Sequence, residues 1–198
     1  MGSDSNGVMS GVPADQRVNE DRLNVYALVI YIPDPLGRFL DELRRELAPA
    51  CNPHAHVSVL PPRPLSVDWQ VAGEQVRGLT EAQPPFEVGL AEIRIFPVTN
   101  VVYLEVGAGV SELHRMHDAI NRGALAFEEP FAYCPHITLA QQIEHDQVQA
   151  VHELAGRRWK EFTGPTAFRA ERAAFVQNTI GNCWIDLAEF GFGAVALR

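Results

Sequence analysis

Three things are scarce in this sequence, and each scarcity excludes something. Cysteine occurs three times in 198 residues, as Cys51, Cys134 and Cys183. The number is odd and the spacing is not that of a zinc site, so neither a disulfide framework nor a zinc module is indicated, and a reducing compartment fits best. Long apolar runs are missing: none approaches the roughly 18 residues that a membrane-spanning helix requires. The leader, residues 1–22, is rich in Gly, Ser, Asp and Asn, lacks the apolar heart of a signal peptide and is expected to be disordered. Met1-Gly2 opens like a myristoylation signal, but Asn6 stands where Ser or Thr is needed. Positive charge is in deficit as well. Lys and Arg total 16 against 25 Asp and Glu, a net charge of −9, which excludes a broad basic surface for duplex DNA. A cytoplasmic monomer without a membrane partner is the expectation.

What the chain does have is apolar material in short, well-punctuated pieces. Hydrophobic residues make up 46%, enough for one substantial domain or two small lobes. Residues 23–32 form a β-branched and aromatic run that reads as a central strand, ended by Pro33 and Pro35. Leu36, Phe39, Leu40, Leu43 and Leu47 recur at three and four, which predicts a helix over 36–47. A strand over 55–60, a helix over 67–81 and a strand over 86–96 follow. The pattern then recurs: a strand over 101–106, a helix over 110–125, a strand over 133–140 and a helix over 146–162. Two further strands, 168–176 and 183–190, are joined by a turn at Asn178–Asn182.

Each half thus runs strand, helix, strand, helix, strand. Tyr26 precedes His56 by 30 residues and Tyr103 precedes His136 by 33. Two divergent copies of one unit, about 23–97 and 100–190, explain this. The expected fold is α+β and bilobal: two pseudo-symmetric lobes, each with an antiparallel or mixed sheet and helices outside, and a groove between them. Residues 23–190 form one two-lobed domain on this reading, and 191–198 form a tail.

The chemistry sits in the third element of each half. His56-Val57-Ser58-Val59 and His136-Ile137-Thr138-Leu139 both read His, aliphatic, hydroxyl, aliphatic. On a strand, alternate side chains share a face. His56 therefore goes with Ser58, and His136 with Thr138, while the aliphatic residues enter the core. A dyad between lobes brings the two pairs together across one groove. Two imidazoles and two hydroxyls suit work on a phosphate: one ring removes a proton, the other donates one, and the hydroxyls hold oxygens. With a net charge of −9, a small nucleotide or an RNA end is the favoured phosphate compound.

These residues resemble the paired H-x-[ST]-x motifs of the 2H phosphoesterase superfamily, which includes bacterial 2′-5′ RNA ligase-like proteins and cyclic phosphodiesterases. The run Phe131-Ala132-Tyr133-Cys134-Pro135-His136-Ile137-Thr138-Leu139 is similar to the F-x-P-H-[IV]-T-L pattern frequent there. The first motif is less regular, with Ser in place of the commoner Thr. The resemblance extends over about residues 23–190. It implies a reaction without metal or cofactor on a 2′,3′-cyclic phosphate or a 2′-5′ phosphodiester, either hydrolysis or reversible end-joining. It further implies His136 as the base that activates water and His56 as the acid. The residues themselves are symmetric on that point. A nucleotide- or RNA-end-binding module is the alternative class.

Several other residues have a plainer role beside a functional one. Tyr133 could stack a base, although alternation places it on the core side. Arg63 and Arg94 could meet a phosphate, with solvated surface as the plainer fate. Cys134 reads as a small buried residue at a strand start. His54 with His56 resembles half a metal site without a third ligand, and no metal is expected. His114 and His117 read as a polar helix face, Glu128-Glu129 as an acidic loop, and His145 and His152 as exposed. Trp69, Trp159 and Trp184 read as packing.

Overall fold

The computed structural model describes residues 21–48 and 54–193. The expected leader up to residue 20, Cys51 and the last five residues lie outside that description. In chain order the elements are β1 (Arg22–Tyr31), α1 (Leu36–Leu47), β2 (His56–Arg63), α2 (Trp69–Thr80), β3 (Phe86–Ile95), β4 (Val102–Val106), α3 (Val110–Ile120), a 3-10 turn (Gly123–Leu125), β5 (His136–Ala140), α4 (Val148–Glu161), β6 (Ala167–Ala170), β7 (Arg172–Thr179) and β8 (Trp184–Gly191).

Local chemistry accounts for these elements. In β1 the run Tyr26 to Ile30 is buried on both faces, which is why it is apolar throughout instead of alternating. α1 buries Leu36, Leu40 and Leu43 on one stripe. Its first turn is held by Asp34, whose carboxylate accepts from the Arg38 N–H at 3.1 Å, as a capping group does. Gly37 is required there: a β-carbon would stand 2.1 Å from the Ile32 carbonyl oxygen.

The strands make two four-stranded sheets, ordered β2-β1-β7-β8 and β5-β4-β3-β6, with every pair antiparallel. The fold is α+β and bilobal, as expected. The lobes do not follow the halves of the sequence, however. β3, from the first half, pairs with β4 and β6 in the second sheet. β7 and β8, from the second half, complete the first sheet beside β1. The single strand expected over 168–176 is in fact two. Glu171 interrupts it, and the chain passes there from one sheet to the other.

The two histidine strands occupy equivalent edges. Ser58 lies opposite Val29, and Thr138 opposite Tyr103. The counterpart of Tyr103 is therefore Val29, three positions beyond the Tyr26 that sequence spacing selects. One continuous core joins both sheets and the helices, with Leu28, Leu40, Val57, Leu104, Leu113 and Ile137 at its centre. A small second cluster, Ala27, Val29, Ala174 and Val176, packs with Tyr31 and Trp184 on the other face of the first sheet. Among the described residues, no helix is long and apolar enough to cross a membrane.

Candidate active site

β2 and β5 lie against one another, and both show the same alternation. Val57, Val59, Ile137 and Leu139 are buried, while His56, Ser58, His136 and Thr138 are partly open. The buried aliphatic side chains fix which face each strand turns outward. All four polar side chains line a single cavity of about 550 Å³. Alternation decides which side chains share a face, and the packing of β2 against β5 brings the two faces to one cavity.

Each imidazole is oriented by its own strand. His56 Nδ1–H donates to the His54 carbonyl at 2.7 Å, and His136 Nδ1–H donates to the Cys134 carbonyl at 2.7 Å. A carbonyl only accepts, so this contact sets the tautomer and leaves Nε2 of each neutral ring with its lone pair. Thr138 Oγ1 donates to His136 Nε2 at 3.3 Å. The start of β2 is held from α1, where Asp41 accepts the Ala55 N–H at 2.6 Å. Around His136, Phe96 and Tyr103 stand edge-on to the ring at 4.9 and 5.4 Å between centroids.

Both rings resist protonation. Loss of hydration at the cleft floor lowers His56 to about 4, and the charge of Arg44 and the rings of His54 and His136 push the same way, against the His54 carbonyl. His136 is lowered too, again through loss of hydration, and the Cys134 carbonyl opposes the shift. At neutral pH both imidazoles are bases, and a bound anion would supply the charge that protonates one of them.

Of the other residues singled out, Tyr133 reaches this cavity, but one face and its hydroxyl are in use. It lies flat on His117 at 4.0 Å with an interplanar angle of 6°, and its hydroxyl donates to the Ser58 carbonyl at 2.8 Å. Arg63 does not reach the cleft. It is 2% exposed, and its guanidinium donates to the carbonyls of Pro61 and Leu125, to Asn121 Oδ1 and to the Glu129 carboxylate. Arg94 does not line the cavity either; it is paired with Glu105 at 3.0 Å and Glu92 at 3.2 Å. Among the described residues, the cation that lines the cleft is Arg44, from α1. It follows Leu43 and stands one turn after Leu40, at the edge of the helix's buried stripe. A charge at that edge was the signal available in the sequence.

Several plainer readings change as well. Cys134 is exposed and lines the cavity; partial burial and the Glu105 carboxylate raise its thiol, so it is a poor nucleophile. His117 and Glu129 are not surface groups: they meet at 3.0 Å inside the second lobe and brace Tyr133 and Arg63. His54 stacks on Tyr31 at 3.7 Å. Among the described residues, no three His, Cys, Asp or Glu side chains gather as metal ligands. Trp184 does more than pack, since it lines the groove together with Asn178 and Asn182.

Comparison with known proteins adds to this geometry. The family model described as "2'-5' RNA ligase superfamily" matches residues 32–181. A Geobacillus kaustophilus protein named "Putative phosphoesterase" is 24% identical over 127 residues, 60% of this chain and 69% of that protein. An Oceanobacillus iheyensis protein named in the same way is 31% identical over 75 residues, 37% of this chain and 44% of that protein. The match thus spans less than half of the Oceanobacillus protein. Among solved structures, the apo form of E. coli LigT shares the fold with a TM-score of 0.59 at 14% identity, over 87% of this chain and 98% of LigT.

Proposed function

The chain belongs to the 2′-5′ RNA ligase superfamily of phosphoesterases, and we propose that within it this protein hydrolyses 2′,3′-cyclic phosphates on nucleotides or RNA ends by two-histidine acid–base catalysis. One observation carries the proposal: two imidazoles line one cavity, each with Nδ1 spent on a carbonyl two residues back and Nε2 as its acid–base atom, shared on His136 with the Thr138 hydroxyl. E. coli LigT has been solved with phosphate and with 3'-AMP, which supports a phosphate compound as ligand.

In this scheme Nε2 of one ring takes a proton from water as the water attacks phosphorus in line. Nε2–H of the other ring gives a proton to the departing ribose oxygen, so the ring opens to a monoester. Ser58, Thr138 and Arg44 donate to the non-bridging oxygens, where charge builds. His56 is the harder ring to protonate. That favours His56 as the base and His136 as the acid, the reverse of the assignment the family resemblance implied. Positioned acid–base groups typically contribute about 10²–10⁴-fold each. A second reading, joining of 2′-5′ RNA ends, uses the same four residues: a 5′-hydroxyl replaces water and displaces the 3′ oxygen, forming a 2′-5′ diester. The superfamily's name favours keeping it.

Incubation with 2′,3′-cyclic nucleotides tests the proposal. Turnover is expected with excess chelator present. It should fall at least about a hundredfold in His56→Ala and in His136→Ala while circular dichroism is unchanged. Absence of turnover in the unmutated protein, or full activity in either variant, refutes it. RNA fragments with a cyclic end and a 5′-hydroxyl distinguish joining from hydrolysis.

A further inference from the structure

The cleft has two arms, and their chemistry differs. One runs over the first sheet, floored by Val25, Ala27 and Val29 and edged by Arg44, Asn178 and Asn182. It sets amide and guanidinium groups beside an apolar floor. The other leaves the histidine pair in the opposite direction, under the β3–β4 turn and the loop before β5. It is a trough of about 550 Å³ that shares His136, Thr138 and Tyr133 with the first arm. Its own walls are almost wholly apolar: Phe96, Val98, Phe127, Pro130 and Phe131. Its acidic residue, Glu129, is already paired with Arg63.

Two of those walls are anomalous as surface. Phe131 is 61% exposed and Val98 81% exposed, the largest such fractions in this part of the molecule. They come from separate segments and line the same trough beside a ring poised to act on phosphate. Isolated exposed apolar residues need no explanation, but apolar residues that converge on a concave site do. Neither packs into the core, so core stability does not account for either one.

We infer that this arm seats an apolar, aromatic substituent of the phosphoester substrate, so that the preferred substrates carry a hydrogen-bond-poor ring on the His136 side of phosphorus and a polar, nucleoside-like group over the first sheet. The inference rests on reading the histidine cleft as a phosphate site. A 2′,3′-cyclic mononucleotide has one organic substituent and fills one arm at most. A diester with two unlike alcohols fills both. The trough's lining holds one carboxamide, Gln141, at the end it shares with the first arm, and its apolar walls suit a phenyl-like group better than a nucleobase.

Binding tests this independently of turnover. Calorimetric affinities are compared for methyl phosphate and benzyl phosphate, which differ only in the ring. Benzyl phosphate should bind about tenfold tighter or better, in line with the gain from an aromatic contact. Phe131→Ser and Val98→Ser, both at exposed positions where folding is not at stake, should remove most of that advantage while methyl phosphate still binds. Equal affinity for the two esters overturns the inference and assigns the trough to another occupant. So does a benzyl preference that survives both substitutions, because the ring then sits in the other arm. Failure of both esters to bind instead removes the phosphate site itself, and with it the proposed function. Cyclic-nucleotide turnover reports on that function separately.

Discussion

Tyr133 holds the main chain of Ser58: its hydroxyl donates to the Ser58 carbonyl at 2.8 Å. A residue three positions before the second histidine thereby fixes the strand of the first. The ring is clamped in turn by His117 at 4.0 Å and by the edge of His114 at 5.1 Å. The spacing between the two catalytic candidates is therefore set by direct contact between the strands and by this bond across the groove.

Tyr133→Phe removes that bond and strands a half-buried carbonyl. The expected cost is about 1 kcal/mol, a fall in Tm of roughly 2–4 °C for a domain of this size. Turnover should fall by more than the stability loss explains at a temperature where both proteins are folded. Thermal denaturation and initial rates on the same samples check this.

Arg63 and Glu129 make a buried ion pair, with side chains 1% and 11% exposed. Removing one partner leaves the other charged and enclosed, so Arg63→Met should cost about 3–5 kcal/mol. A double-mutant cycle with Glu129→Gln in urea should give a coupling energy above about 1 kcal/mol. A coupling near zero would show the pair to be incidental.

Stability should decline on mild acidification. Unfolded, His56 takes a proton near pH 6.5; folded, it does so only near 4. Above pH 6.5 the ring is neutral in both states and contributes no slope. Between 6.5 and 4 the unfolded chain gains a proton that the folded protein refuses, so unfolding becomes easier, and below 4 the effect levels off. The upper bound is roughly 3 kcal/mol, reduced by whatever water reaches the ring. His136, lowered for the same reason, adds in the same direction. Urea unfolding at pH 7.5 and pH 5 should show the drop, and His56→Gln should lessen it.

Arg44 depresses His56 through its charge and faces the same cavity. Arg44→Gln should have two separable effects. KM for a cyclic nucleotide should rise about tenfold, as a charge-assisted contact to phosphate is lost. The acidic limb of the kcat/KM profile should also move up towards 6.5, because a neighbouring positive charge has gone. A limb that stays in place would mean that His56 is not the group responsible for it.

The assignment of roles can be read from residual activity. With His56 as base, His56→Ala should lose the acidic limb of the kcat/KM profile and keep the alkaline one. His136→Ala should do the opposite. Exchanged limbs would restore the assignment implied by the family resemblance.

Much of this molecule was readable in its sequence, for definable reasons. α1 falls on the predicted residues, Leu36–Leu47, because a strict apolar period lies between prolines. Both histidine strands were legible because each buries one face and opens the other. Pairings across long distances were not. The span 168–176 is extended throughout, as its composition says, yet nothing local shows that Phe168 and Phe175 belong to different sheets. Arg63 looked like a surface cation because its partner, Glu129, is 66 residues away. His152 looked exposed, but its Nε2–H donates to the Ile93 carbonyl at 3.2 Å. Local pattern reports the conformation and the buried face of a segment, and only the assembled fold decides which segments meet.

The strand exchange bears on how this protein could have arisen and how it can be taken apart. If the chain is severed near residue 98, β3 keeps neither neighbour and β1 loses β7, while β4 and β6 lose the strand between them. Both fragments would carry raw hydrogen-bonding edges that invite aggregation. Neither half is therefore expected to fold when expressed alone. Two such fragments could yield an intact molecule only by finding each other, which makes reassembly from separately produced pieces an all-or-nothing event.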